Sequence, residues 1–350
     1  MAIDPGFFTT GLLLGLIALF LLISHLRKRW PTTNFPPGPR GLPFVGSMLS
    51  LSPSVHLDLH KYRKTYGDIF SLMLGDSVVV VMNSAALVKE VLRRTQSSNR
   101  IYFWSQSQFS NPHRQGIFDL LYGDKWQTQR QFAVRTLRDF GFGKRSMEHQ
   151  IAEEVKTMIS TLKKKADESV DMKVLLSTSV SNVMCKLIFN QRFDHKDKEF
   201  LMILDLINKA FLSQGRAYDF IPILRLFQRK KIASDRKIWE SFYAYIAHQI
   251  KVHRQTFQQD DTRDFIDAAI IQEEVDPVNF NDEELKLNVT NLFMAGTETI
   301  SSTLSWAMLY MGINQDIQEK VFLEIKNVSL HLNFNIHTKA YILSLSYISR

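Results

Sequence analysis

The stretch NLFMAGTETISST, residues 291–303, decides how this sequence is read. It lies inside a long apolar run, yet its middle holds Gly296, Glu298 and the hydroxyls of Thr297, Thr299, Ser301, Ser302 and Thr303. Upstream, Asn281 with Glu284 three residues on is a capping-box pattern that starts a helix. From there Leu285, Val289, Leu292, Phe293, Met294, Ile300, Leu304 and Trp306 cover most of a helical circumference, which predicts a helix over 282–312 buried on nearly all sides. Glycine inside a helix costs about 1 kcal/mol against alanine. A buried carboxylate without partners costs more, unless it takes a proton. Stability alone does not select such residues. Ala295 and Gly296 leave room for a flat ligand to approach the backbone, and Glu298 with the Thr299 hydroxyl can bind water and pass protons. A hydroxyl-rich face that reaches solvent, with Glu298 paired to an arginine, accounts for the same residues.

Outward from this segment the apolar spacing is mostly helical. Intervals of three and four predict helices over 84–95, 124–138, 146–166, 172–189, 198–213, 232–256 and 263–274. The exception is IFSLMLGDSVVVVMN, residues 69–83, where two apolar runs flank Gly75 and Asp76 as a tight hairpin would. The class is therefore mainly α with a small β-sheet, and no internal repeat is visible.

The 350 residues are 45% hydrophobic, enough for a large core. One cysteine, Cys185, excludes an intrachain disulfide and fits a reducing compartment. The formal charge of +8 is spread among acids with no nucleic-acid motif beside it, so a basic face toward membrane or an acidic partner is expected and no nucleic acid. Between Pro5 and Leu26 no Asp, Glu, Lys or Arg occurs, which predicts an N-terminal transmembrane helix. Arg27, Lys28 and Arg29 follow the apolar run instead of preceding it, which marks an uncleaved anchor with the rest of the chain cytosolic. Pro31, Pro36, Pro37, Pro39 and Pro43 then make a stiff elbow. The expected organisation is an anchor over 1–26, a basic and proline-rich linker over 27–46, a catalytic domain over 47–327 and a divergent tail over 328–350.

AGTET, Ala295 to Thr299, on a long helix resembles the oxygen-activation signature of the cytochrome P450 haem-thiolate monooxygenases. PPGP after an amino-terminal anchor resembles the microsomal members. WQTQR resembles the family's helix on which a tryptophan and an arginine reach a haem propionate, here Trp126 and Arg130. RTLRDFGFGKRSMEHQIAEEV, RFDHKDKEF and DFIDA are similar to the animal drug- and lipid-oxidising branch. The resemblance implies a cytochrome P450 fold truncated before the haem-ligand loop, with haem as cofactor and Ala295 and Gly296 beside it. It implies Glu298 and Thr299 as proton-delivery residues, a lipophilic small-molecule substrate, an NADPH-cytochrome reductase as partner, and the endoplasmic reticulum membrane as location. The basic surface is then a docking face for the reductase.

Parts of the pattern are missing. Cys185, within SNVMCKLIFN, reads as a buried structural thiol and not as the axial thiolate. The Glu-x-x-Arg expected after the long helix does not follow it, and the only such spacing, Glu90 to Arg93, lies in an early helix. From Asn327 onward the sequence departs from the family pattern. A catalytically inactive membrane-anchored remnant is therefore the alternative expectation. His56 and His60, at metal-like i, i+4 spacing, lack a third ligand and read as an ordinary helix face.

Overall fold

A computed structural model describes residues 11–13, 15–20, 23, 35–42, 44–75, 77–165 and 168–331. The anchor expected over 1–26 and the basic flank after it lie mostly outside the described residues, as does the tail beyond 331. Residues 11–13 and 15–20 are helical, with Leu12, Leu16 and Phe20 exposed.

The elements are α1 (Val55–Tyr66), β1 (Ile69–Leu74), β2 (Ser77–Met82), α2 (Ala85–Leu92), α3 (Gly116–Asp119), α4 (Asp124–Asp139), α5 (Ser146–Lys164), α6 (Met172–Phe189), α7 (Lys198–Ser213), α8 (Ala217–Phe220), α9 (Leu224–Phe227), α10 (Arg229–Thr256), α11 (Phe265–Val275), α12 (Asp282–Ile313) and α13 (Gln315–His331). The short α3, α8 and α9 have no legible period because four residues make barely one turn. The described contacts gather into two units. One comprises Met1–Gln108 and Gln214–Ser234, the other Phe109–Ser213 and Asp235–Arg350.

In the first unit β1 and β2 pair antiparallel with Leu74 opposite Ser77, so the connection is the expected two residues. Gly75 has φ +57°, and a Cβ there would meet the Phe220 carbonyl oxygen at 2.0 Å, so both backbone conformation and space demand glycine. Phe70 is fully buried beside the rings of Tyr62 and Tyr66. Trp104 packs edge-on against Tyr218 and carries the Arg225 guanidinium 4.4 Å from its ring centre.

The second unit is helical and holds one continuous core, which includes Phe132, Leu187, Phe189, Ile203, Ile207, Phe242, Ile246, Phe265 and Phe293. α6 is long and apolar enough to cross a membrane, but most of it is buried, and it serves as a core helix. It starts where the Asp171 carboxylate accepts from the amides of Lys173 and Val174, and it ends at Asn190 in the left-handed region. α12 packs lengthwise on α6, with Phe293 edge-on to Phe189 at 5.3 Å.

The burial of α12 is not uniform. Its buried residues run from Glu284 to Ser301 and stop there. Beyond, Trp306 is 71% and Ile313 72% exposed. The sequence expectation of burial on nearly all sides holds for the first half alone, because no described element covers the apolar residues of the second half. Phe293→Ala, which empties a site with no solvent contact, is expected to cost about 3–5 kcal/mol. A lowered urea midpoint with unchanged m-value checks it.

Candidate functional site

The site begins where α12 begins. Asn281 caps the helix, its Oδ1 accepting from the Glu284 amide at 3.0 Å. Glu284 does not close the capping box. Its side chain is fully buried and turns to another part of the chain, where Oε2 accepts the Gly116 amide at 2.8 Å and Oε1 meets Lys125 Nζ at 2.7 Å. One turn on, Asn288 Oδ1 accepts the Ile117 amide at 3.0 Å, while its Nδ2 donates to Gln129 Oε1. Gln129, also fully buried, donates in turn to the Asn279 carbonyl. α12 is thus pinned to α3 and α4 by a connected polar chain, and a half-satisfied buried network would be worse than an apolar core. Gly116 makes the approach feasible: at φ +75° a Cβ would come 2.8 Å from Asn291 Nδ2 and 3.0 Å from Leu287 Cβ.

On α4, Trp126 donates its indole N–H to the Ile117 carbonyl at 3.0 Å. Arg130, exposed, lies 5.5 Å over the Trp126 ring, so the two expected residues do share one face. Among the described residues no carboxylate pairs with Arg130, so its exposed fork has no bidentate partner there.

α12 continues the same stripe. Seven residues drift only about 20° around a helix and rise about 10 Å. Glu284, Asn291 and Glu298 therefore follow one line, and Asn288, Ala295 and Ser302 another beside it. Ala295 and Glu298 are half-buried and Thr299 is exposed. Glu298 Oε1 accepts the Ser302 hydroxyl at 2.8 Å, and no arginine pairs with it among the described residues. Thr299 donates to the Ala295 carbonyl at 2.6 Å, as Thr303 does to that of Thr299 at 2.7 Å.

The other hydroxyls face α6. Thr297 and Ser301 are buried, and the Ser181 hydroxyl donates to Thr297 Oγ1 at 3.2 Å. Gly296 belongs to this side. A Cβ there would sit 2.6 Å from Met184 Sδ, so the space left by its missing side chain is filled by α6 and not by an opening for a flat ligand. The polar notch divides into an inner half that lets two helices approach and an outer half formed by Ala295, Glu298, Thr299 and Thr303.

Cys185 is fully buried, and its thiol is pushed well up, by burial first and then by the Glu154 charge. It is inert as a thiolate ligand. The sequence reading gave Glu284 a local capping role and missed Asn288, Gln129 and Gly116 as its companions in a buried network. For Glu284 and Asn288 the signal was polar residues recurring at 284, 288 and 291 on an otherwise apolar helix.

A second buried cluster gathers His253, Asp264 and Asp267 at metal-like separations. His253 Nε2 faces Asp264 Oδ2 at 2.7 Å and Nδ1 faces the Gln249 carbonyl at 2.8 Å. Both partners are acceptors, so the ring carries two protons and has no lone pair for a metal. Asp267 is gripped by Arg263 through Nε at 2.6 Å and Nη2 at 2.8 Å. The cluster is an ion-pair clamp that ties the end of α10 to the start of α11. Burial alone would lower the His253 pKa, but the Asp264 hydrogen bond and charge, the Gln249 carbonyl and the Asp267 charge together raise it above the usual imidazole value.

A family model described as Cytochrome P450 matches residues 36–338. Cytochrome P450 2J5 of Mus musculus is 34% identical over 328 residues, covering 91% of this chain and 65% of that protein. Cytochrome P450 2J2 of Homo sapiens is 33% identical over 335 residues, covering 91% of this chain and 64% of the relative. Cytochrome P450 2G1 of Oryctolagus cuniculus is 33% identical over 334 residues, with coverages of 92% and 67%. The chain spans about 65% of the length of these relatives.

Two outcomes are expected from these contacts. Glu284→Ala removes the partner of a buried amide and of Lys125, and is expected to cost about 3 kcal/mol. A double-mutant cycle with Lys125→Met separates the ion pair's share. Because the folded pKa of His253 is raised, its clamp stabilises fully below the unfolded value of about 6.5 and is lost as pH rises through the folded one. Urea midpoints from pH 6 to 9 should fall for the wild type, and His253→Gln should flatten that slope.

Proposed function

The chain belongs to the cytochrome P450 family, and from that premise we propose that it forms the oxygen-side wall of a haem monooxygenase acting on lipophilic small molecules. The reading is carried by the outer half of the α12 notch, where a small residue, an exposed hydroxyl bonded only to its own helix and a carboxylate lie along one open face. Arg130, braced on the Trp126 ring, would hold the haem, since an exposed guanidinium without a carboxylate partner among the described residues suits a propionate, while the Trp126 N–H is already given to the Ile117 carbonyl. Ala295, half-exposed on α12, leaves the face shallow enough for a flat macrocycle. Bound haem would supply the activation of dioxygen, with electrons from a separate NADPH-cytochrome reductase.

The chain's own part is proton handling. The Thr299 hydroxyl, now given to the Ala295 carbonyl, could swing to donate into the open face, because the carbonyl keeps its backbone hydrogen bond when the hydroxyl leaves. The Glu298 carboxyl, held by Ser302, would relay protons from solvent toward that hydroxyl through water, since neighbouring side chains on a helix do not face each other. Exposed Leu12, Leu16 and Phe20 near the amino end support attachment to a lipid bilayer, for which the endoplasmic reticulum is the proposed site.

One observation favours a second reading, a membrane-attached chain that binds partners without turnover. The single cysteine among these 350 residues is buried on the α6 side, away from the open face of α12.

Titration of the full chain with haemin distinguishes the two. Saturable binding at one equivalent, weakened about tenfold or more by Arg130→Ala, is expected for the haem protein. Absence of saturable binding overturns it in favour of the second reading. With haem bound and reductase and NADPH present, Thr299→Ala is expected to lower product formed per dioxygen consumed several-fold at unchanged substrate affinity. An unchanged ratio removes Thr299 from the proton path.

A further inference from the structure

Past its hydroxyl-rich turn, α12 is an apolar surface without a cover among the described residues. Trp306, Leu309, Tyr310 and Ile313 recur there at helical spacing, and each is more than half exposed. Thr299, Trp306 and Ile313 stand seven residues apart, so this stripe continues the line of the open face beyond the notch. α13 follows after Asn314 and adds exposed Val321 and Val328, again seven apart. A contiguous group of large apolar side chains left in water marks a surface that something else covers.

Residues 332–350 continue directly from α13 and lie outside the described residues. Their sequence matches the stripe in pattern, charge and reach. Leu332, Phe334 and Ile336 alternate with Asn333 and Asn335, and Leu343, Leu345 and Tyr347 alternate with Ser344 and Ser346. Each run, when extended, is apolar on one side and polar on the other. The segment carries Lys339 and Arg350 and no acid, whereas α12 has no charge after Glu298 and α13 sets Asp316, Glu319 and Glu324 against Lys320 and Lys326. α13 is 17 residues long, about 26 Å, and 306–313 spans about 10 Å more. Extended chain from His331 to Leu343 reaches about 40 Å, enough to return past both.

We propose that residues 343–347 fold back onto the stripe, with Leu343, Leu345 and Tyr347 laid on Trp306, Leu309, Tyr310 and Ile313 and with Lys339 and Arg350 toward the acids of α13. The contact is independent of the haem reading. Covalent attachment decides among occupants, because a tethered segment acts at an effective concentration of about millimolar, above what a second copy reaches in dilute solution. The acid excess on α13 also disfavours an anionic bilayer surface.

A nitroxide attached at Ser346→Cys tests the contact in the full chain, held in lipid nanodiscs. Cys185 is buried and its thiol pushed up, so the label reacts at position 346 alone. Trp306 emission is read as the difference between this chain and the same chain with Trp306→Phe, with circular dichroism as the folding control. The expected result is loss of most Trp306 emission at every protein concentration, its return when ascorbate reduces the label, and its retention when Leu343→Asp and Leu345→Asp are added. Ile313→Asp, at an exposed position, is the second release variant should the first fail to fold. Undiminished Trp306 emission in the labelled chain overturns the proposal, as does quenching that persists in a folded release variant. Quenching that appears on mixing labelled Trp306→Phe chain with unlabelled wild type assigns the stripe to a second copy and overturns it. Quenching of an unlabelled chain by nitroxide-bearing lipid assigns the stripe to the bilayer, with the same consequence.

Discussion

The structure of the second unit depends on a carboxylate that cannot reach water. Glu284 at the start of α12 is matched by the Gly116 amide and by Lys125, and through Asn288 and Gln129 the same contact extends to Ile117 and Asn279. Removing a charge from water is affordable only where the partners are fixed in advance. The positive φ of Gly116 and the short α3 fix them, so the rotation of α12 about its own axis is set at its first turn. Every residue farther along, including Ala295 and Thr299, inherits that rotation.

α12 therefore reads as one helix with two different economies. Its first half is bonded to α3, α4 and α6 and is buried as a core helix should be. Its second half keeps the same apolar period, yet Leu304, Trp306 and Leu309 remain exposed. Between them lies the hydroxyl-rich turn, where Gly296 and Thr297 close against α6 while Thr299 and Glu298 open away from it. A glycine within a helix is explained here by a neighbour's side chain, Met184. The open hydroxyl has no comparable packing reason, and that asymmetry is why the function is argued from Thr299 and not from Gly296.

Much of this was legible in the sequence. Long periodic segments such as 172–189 and 198–213 match their helices to the residue, because a sustained apolar period leaves few other ways to bury it. The hairpin was marked by β-branched runs around Gly75. The capping residue Asn281 was legible, but the destination of Glu284 was not: a local pattern predicts the local bond, and the buried amide of Gly116, 168 residues away, competes better for the carboxylate. The Trp126–Arg130 pair was legible because four residues bring two side chains onto one face. The Asn288–Gln129 contact joins positions with no periodic relation to each other, and the His253–Asp264 clamp joins two helix ends across a loop.

The hydroxyls of Thr299, Ser301, Thr303 and Ser305 each add a second donor to a carbonyl one turn earlier, over consecutive turns of one helix. Carbonyls shared in this way bind their own amides less tightly, so this segment is softer along its axis than its apolar surroundings suggest. A rod anchored at its first half and compliant past it concentrates bending at one place. A guest pressing on Ala295 would flex the helix there and leave the polar anchorage at Glu284 undisturbed.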